Sequence, residues 1–249
     1  MIRITLDLIF LFLFLVLGMP VLFFLHLWYK DDWMGDLKSC TRKVRWALNI
    51  VVKMSGTTII CEGLENVPKD EAVLFVGNHR SYFDIICTHA SLDRPAGFVA
   101  KAEMSKVPFL RTWMLRIGCL FLDRKDPREG LKTILKAIEH IKKGASVIIY
   151  PEGTRNINED PKELLPFHEG SLKIAQKAGC LIVPMAIYGT DDILEKHFPV
   201  VKKQTITLRF GKPFYSKDIP EGHKKKQGAY VRDIITSMIA DIEKERVSL

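Results

Sequence analysis

The stretch "NHRSYFD", residues 78–84, places His79 and Asp84 five positions apart, directly after the apolar run "AVLFVG". A carboxylate beside a histidine fixes its tautomer and stabilises its protonated form, which suits general-base work. On a regular helix, positions five apart are separated by about 140° and do not meet. They meet if His79 lies in the turn after a strand and Asp84 in the first turn of the next helix. Ser81 is a good N-cap residue, and Asp84 then falls at the third helical position. That is close to a capping box, with Asp in place of the usual Glu or Gln. On geometry alone, the heptapeptide is equally a helix cap with a loop histidine beside it.

A His–Asp pair needs a proton to remove. The chain contains no GxSxG nucleophile elbow, no HExxH, no P-loop and no GxGxxG. Cys87 is near in sequence but stands in no nucleophile motif. These absences point to a substrate hydroxyl as the nucleophile, with His79 as base. Such a base is worth about 10²–10⁴ in rate.

A second polar cluster, "YPEGTRN" at 150–156, follows the apolar run "SVIIY". Pro151 stops strand pairing, and Gly153 permits a tight turn or close ligand approach. Arg155 offers a planar fork matched to two phosphate oxygens. Glu152 can orient Arg155 or bind a substrate hydroxyl; the bland alternative is a polar turn with an internal Glu–Arg pair. Lys101 and Arg124 also stand at strand ends. Alone each is a surface charge; with Arg155 they can form a phosphate pocket.

The elements that must position these residues alternate. Strands are expected at 58–62, 72–77, 97–101, 118–122, 146–150, 181–187 and 205–210. Helices are expected at about 81–92, 103–116, 128–143, 168–178 and 224–246, and those at 128–143 and 224–246 carry apolar residues at helical spacing. This predicts an α/β fold: a mostly parallel, roughly seven-stranded sheet flanked by helices. In such sheets ligands bind beyond the strand ends, where both polar clusters sit.

Residues 8–29 contain no Asp, Glu, Lys or Arg. About 20 apolar residues suffice to span a bilayer core. A secretory signal is the rival reading, but its apolar core is shorter and ends in small residues. Gly18 and Pro20 interrupt the run, so it is read as a single kinked span or as two helices dipping into one leaflet. Only Arg3 precedes it, whereas Lys30, Lys38, Arg42, Lys43, Arg45 and Lys53 follow. The positive-inside rule then places the remainder on the cytoplasmic side of a membrane. The expected organisation is a membrane anchor at 1–30, a basic amphipathic helix at 31–56, and an α/β domain at 57–249. That basic helix either lies in the membrane surface or packs on the domain.

The formal net charge of +8 among 249 residues suits anionic partners, here lipid headgroups or phosphorylated substrates. No nucleic-acid-binding motif appears, so nucleic acid is not an expected partner. The five cysteines are scattered without CxxC, as befits reduced, mostly buried thiols.

Four ordered stretches resemble the glycerolipid acyltransferase family over roughly residues 60–215. "NHRSYFD" matches its NHxxxxD, and "PEGTR" (151–155) matches its third motif. "KAEMSKVPFLRTWMLRIGCLFLDR" (101–124) is similar to the second, and "IVPMAIYG" (182–189) to the fourth. The resemblance implies His79 and Asp84 as the catalytic pair, with Lys101, Arg124, Glu152, Gly153, Thr154 and Arg155 binding substrate. It implies transfer of a fatty acyl group from a thioester to the 2-hydroxyl of lysophosphatidic acid, giving phosphatidic acid in phospholipid biosynthesis. The co-substrate would be acyl-CoA or acyl carrier protein, with no metal, other cofactor or covalent acyl-enzyme. It also implies an N-terminal hydrophobic segment or two-helix membrane motif. Tyr150 and Asn156 stand where Phe and Ser are frequent, and Met185 where Val is. Relatives acylate other lysolipids with the same motifs, so another lysolipid or an acyl-amino-acid acceptor is the nearest alternative. A hydrolase and a non-catalytic module binding anionic lipid are the more distant ones.

Overall fold

The computed structural model describes residues 2–247. Within them the strands are β1 (Thr58–Glu62), β2 (Leu74–Gly77), β3 (Ala96–Lys101), β4 (Leu120–Leu122), β5 (Ser146–Ile149), β6 (Leu181–Tyr188), β7 (Thr205–Phe210) and β8 (Phe214–Tyr215). They form one sheet in the order β1-β7-β6-β2-β5-β3-β4, with β8 beside β6. Strands β6, β2, β5, β3 and β4 run parallel, so their C-terminal ends share one edge. Strand β7 turns antiparallel to β6 and pairs in parallel with β1.

The helices are α1 (Ile2–Leu17), α2 (Met19–Trp28), α3 (Trp33–Ser55), α4 (Tyr82–Ser91), α5 (Pro108–Arg116), α6 (Pro127–Lys142), α7 (Lys173–Ala178) and α8 (Gln227–Val247). Side-chain alternation along the strands builds two cores. Phe75, Ile148, Val183 and Met185 pack with Cys40 and Val44 of α3, Phe83 and Cys87 of α4, and Trp113 of α5. Leu74, Val76, Val147 and Ile182 pack on the opposite face with Ile138 and Ile141 of α6, Ile174 of α7, and Ile235 and Ile239 of α8. Each fully buried side chain of this size stabilises by about 1.5–3 kcal/mol. A one-residue slip of β2 would exchange Phe75 with Leu74 and Val76 between the two cores, so register is firmly set.

Several expected elements are interrupted for identifiable reasons. The helix expected at about 103–116 is a 3-10 turn, Ala102–Lys106, followed by α5. Pro108 lacks an N–H and holds Val107 extended (φ −88°, ψ 106°), so the helix restarts with proline in its first turn. Strand β4 starts at Leu120, not 118, because Gly118 is left-handed (φ 79°). Its carbonyl crosses Gly97 so closely that a Cβ there would lie 1.9 Å from Gly118 O. The helix expected from 168 is the turn Glu169–Ser171 leading into α7, and the short β8 was not expected.

Among the described residues, no single helix is long and apolar enough to cross a membrane, but α1 and α2 together pass by length and composition, with a 41° bend. The break falls at Gly18, where a Cβ would lie 2.5 Å from Trp113 Cζ2. Trp113 donates its indole N–H to Leu15 O at 3.1 Å, and Arg116 reaches Leu22 O and Asp36. Helix α5 thereby fastens the bend to the domain. Helix α3 uses its apolar stripe (Leu37, Cys40, Val44, Ala47, Val51) in the interior, and Arg45 and Asn49 donate to Ala90 O of α4. The stripe expected as a separate interfacial element at 31–56 is therefore core of the α/β domain, and the packed-helix alternative is the one observed.

Candidate active site

The shared edge of the parallel strands assembles the site. Beyond β2, the buried Asn78 side chain completes the sheet: its amide donates to Ile187 O and accepts from Ile187 N, both at 2.8 Å. This pins the start of "NHRSYFD" to β6. Ser81 then caps α4, accepting from Phe83 N at 2.9 Å, while Asp84 accepts from Ser81 N at 2.8 Å. The capping box is present, and so is the pair: His79 Nδ1 lies 2.8 Å from Asp84 Oδ2. The two readings of the heptapeptide describe one arrangement.

Asp84 is fully buried and accepts four hydrogen bonds, from His79 Nδ1, Arg80 N, Ser81 N and Thr190 Oγ1. With its carboxylate as acceptor, Nδ1 of His79 carries the proton and Nε2 keeps a free lone pair. The imidazole stacks on Tyr150 (centroids 4.6 Å apart, planes at 14°) and is 16% exposed. Burial, and secondarily Asp84, push the Tyr150 phenol well above its ordinary value, so the ring stays a neutral wall. Cys87 is fully buried; burial, then Asp84, push its thiol up, which rules it out as a thiolate nucleophile.

The loop after β5 grips the histidine by its backbone. Glu152, buried, accepts His79 N–H at 2.8 Å through Oε1 and Leu165 N–H at 2.9 Å through Oε2. Asn156 N donates to His79 O at 2.7 Å. Burial pushes the Glu152 carboxyl up, against the pull of both N–H groups. Glu152 therefore does not orient Arg155, and no internal Glu–Arg pair forms within "PEGTR". Arg155 instead meets Glu195 at 3.3 Å and lays its guanidinium over the Tyr82 ring, 3.9 Å from the centroid.

Gly153 is left-handed (φ 79°), and a Cβ there would lie 2.7 Å from Arg124 Nη1 and 3.1 Å from His168 Nε2. Arg124 is thus brought against the "PEGTR" loop. Lys101, at the end of β3, is more remote: its side chain is 68% exposed and pairs with Glu103 at 3.2 Å. Thr154 is exposed on the loop surface. Among the described residues, no group of three or more His, Cys, Asp or Glu is placed to hold a metal ion.

One segment of the site lay outside the sequence reading. The loop after β6 contributes Thr190 to Asp84, Asp191 to the buried Arg80 (Nε–Oδ2 3.0 Å) and Glu195 to Ser81, Tyr82 and Arg155. Arg80 also donates to Asn158 O at 2.6 Å, tying the loops after β2, β5 and β6 together. The available signal was positional: "TDDILE" follows the end of an apolar strand on the edge that carries both polar clusters.

Comparison with known proteins places this geometry among relatives. The model of the family described as Acyltransferase matches residues 58–188. The 1-acyl-sn-glycerol-3-phosphate acyltransferase of Borreliella burgdorferi is 30% identical over 198 residues, 80% of this chain and 75% of that protein. A protein of the same description from Saccharomyces cerevisiae is 27% identical over 195 residues, 78% of this chain and 64% of its own length. The chloroplastic BAT2 relative of Brassica napus is 38% identical over 150 residues, 60% of this chain and 42% of its own. The crystal structure of the 1-acyl-sn-glycerophosphate (LPA) acyltransferase PlsC from Thermotoga maritima superposes with a TM-score of 0.82. That match covers 97% of this chain and 95% of that one at 22% identity, so the two share the α/β fold.

Proposed function

The chain belongs to the Acyltransferase family, and on that premise we propose that it acylates the sn-2 hydroxyl of 1-acyl-glycerol-3-phosphate, forming phosphatidic acid. The donor is an acyl thioester, on coenzyme A or on acyl carrier protein. The observation that carries this reading is the His79–Asp84 contact at 2.8 Å, with every other Asp84 bond coming from the surrounding scaffold.

In this mechanism Nε2 of His79 takes the proton of the acceptor hydroxyl as its oxygen bonds to the thioester carbonyl carbon. Asp84 stabilises the imidazolium that forms. The tetrahedral intermediate collapses, the C–S bond breaks, and the departing thiolate takes the proton back from Nε2. No covalent acyl-enzyme is needed. Arg155 binds the acceptor's phosphate through the N–H groups that Glu195 leaves open, with Arg124 and the more exposed charge of Lys101 adding positive potential. Gly153 allows Arg124 to approach the loop, and Thr154 lies on its exposed rim. Glu152 supports the reaction indirectly, by holding the backbone of His79.

Helices α1 and α2 form the membrane element, with the rest of the chain on the cytoplasmic face. Phe12, Phe24 and Trp28 are 61%, 68% and 82% exposed, an apolar surface suited to acyl chains. Arg116 reaches the Leu22 carbonyl inside α2 and pairs with Asp36. A charged pair held against α2 is costly within a bilayer core, which favours a bent pair lying in one leaflet over a span. The active site then opens where the lysolipid already resides, sparing about 0.8 kcal/mol for each methylene that would otherwise enter water.

The test is an acyl-transfer assay of the full chain in lipid vesicles, with both donors against a panel of acceptors. Transfer should be fastest to 1-acyl-glycerol-3-phosphate. A faster reaction with a lysolipid of larger headgroup would reassign the acceptor. Release of fatty acid without an acceptor would make the protein a hydrolase, and lipid binding without turnover a recognition module.

A further inference from the structure

Two separate motifs converge on one carboxylate that belongs to neither. Glu195 accepts from Ser81 Oγ at 2.6 Å through Oε2 and from Tyr82 N–H at 2.9 Å through Oε1. The same Oε1 meets Arg155 Nη1 at 3.3 Å. Ser81 and Tyr82 start α4, whose third residue is Asp84. Arg155 ends "PEGTR", and its guanidinium rests on the ring of that same Tyr82, 3.9 Å from the centroid. We propose that Glu195 is a positioning residue that fixes the arginine of the acceptor site relative to the general base. The proposal rests on the reading of Arg155 as the phosphate ligand.

A guanidinium carries five N–H donors in a rigid fork. Glu195 engages one terminal nitrogen and Tyr82 covers one face, while the Arg155 side chain remains 36% exposed. The rest of the fork is free for two oxygens of one phosphate. An arginine held this way loses less freedom when the acceptor binds. The ion pair itself is part-exposed and contributes little to stability, so its value lies in geometry. The carboxylate also sits at the N-terminus of α4, where negative charge is favoured. Displacement of a reacting group by 1 Å can cost about 100-fold in rate, so a shared anchor for acid–base and anion-binding parts has a kinetic consequence.

The test is steady-state kinetics of the full chain in lipid vesicles, with 1-acyl-glycerol-3-phosphate and an acyl thioester, for Glu195→Gln, Glu195→Ala, Arg155→Ala and the Glu195→Gln/Arg155→Ala double variant. The amide keeps an oxygen acceptor for the α4 terminus but loses the charge facing Arg155. Glu195→Gln should therefore raise the KM of the phosphate acceptor about tenfold, the factor for 1.4 kcal/mol. It should leave the KM of the acyl donor unchanged and keep kcat within a few-fold. Glu195→Ala should lower kcat as well, and the partial rescue by Gln separates positioning from loss of fold. In the Arg155→Ala background, Glu195→Gln should add no further rise. The proposal is overturned if Arg155→Ala raises the acceptor KM while Glu195→Gln does not, or if Glu195→Gln raises both KM values equally. An unchanged acceptor KM in Arg155→Ala would instead sink the phosphate reading of Arg155, and the proposal with it.

Discussion

Glu152 holds His79 by its main chain: the carboxylate accepts the His79 N–H at 2.8 Å and lies buried beneath the loop it stabilises. The position of the base is thus set from two sides, by Asp84 at the ring and by Glu152 and Asn156 at the backbone. A side chain located only by its own rotamer would be looser, and second-layer support of this kind is what keeps a base within hydrogen-bond reach of its substrate.

Glu152→Gln tests this support. Both carboxylate oxygens accept from backbone N–H groups, so the amide must turn its own N–H₂ toward one of them. A buried N–H left without an acceptor costs about 1–3 kcal/mol. The variant should melt lower, by about 2–4 °C per kcal/mol for a chain of this size, and lose kcat with little change in acceptor KM. Calorimetry and kinetics on one preparation read both. A rise in KM alone would return Glu152 to the substrate pocket.

Tyr150 tests the wall behind the imidazole. Its hydroxyl lies 3.4 Å from Thr88 Oγ1, a long contact, whereas its ring stacks on His79. Tyr150→Phe should retain activity within about twofold, since hydrogen bonds this long contribute little. Tyr150→Ala should destabilise by about 3–5 kcal/mol through the cavity it leaves and lower kcat further through the freed imidazole. Equal rate losses in the two variants would assign the function to the hydroxyl.

Much of this was legible in the sequence, for physical reasons. The strands of the sheet are short runs of large apolar side chains, and all except β8 were marked by that composition; two residues at Phe214–Tyr215 are too few to show a pattern. His79 and Asp84 were legible because "NHRSYFD" resembles the family's first motif; the cap geometry alone left a loop histidine equally open, and the pair is held by partners distant in sequence, Glu152, Asn156 and Thr190. The direction of Glu152 was not, since it depends on how the 150–156 loop folds back over β2. Glu195 and Thr190 carried only the positional signal of "TDDILE" for a related reason: they reach the site through the parallel pairing of β6 with β2, a relationship that leaves no local pattern. The stripe of α3 was legible as amphipathic, but amphipathicity alone does not distinguish a membrane surface from helix α4.

His89 predicts an acid limb in stability. It is fully buried on α4 against Phe98 (centroids 5.2 Å apart), and burial, with Arg45 adding to it, pushes its pKa down to about 4 from 6.5. The folded protein holds it neutral, while the unfolded chain protonates it below about pH 6.5. Its contribution is therefore complete above that pH and is lost as pH falls toward 4. The lost stability is on the order of 3 kcal/mol. Melting temperatures between pH 7 and 4.5 should fall more steeply for the wild type than for His89→Leu. Parallel slopes would show that His89 does not titrate on unfolding.

The most direct measurement is the rate of acyl transfer to 1-acyl-glycerol-3-phosphate by His79→Ala in lipid vesicles, with membrane binding and melting temperature recorded alongside. The expected result is a fall in kcat of about 10²–10⁴, with vesicle binding unchanged and the protein still folded at the assay temperature, at a lower melting temperature because the buried Asp84 loses a partner. Near-wild-type turnover in that variant would contradict the assignment of His79 as the general base.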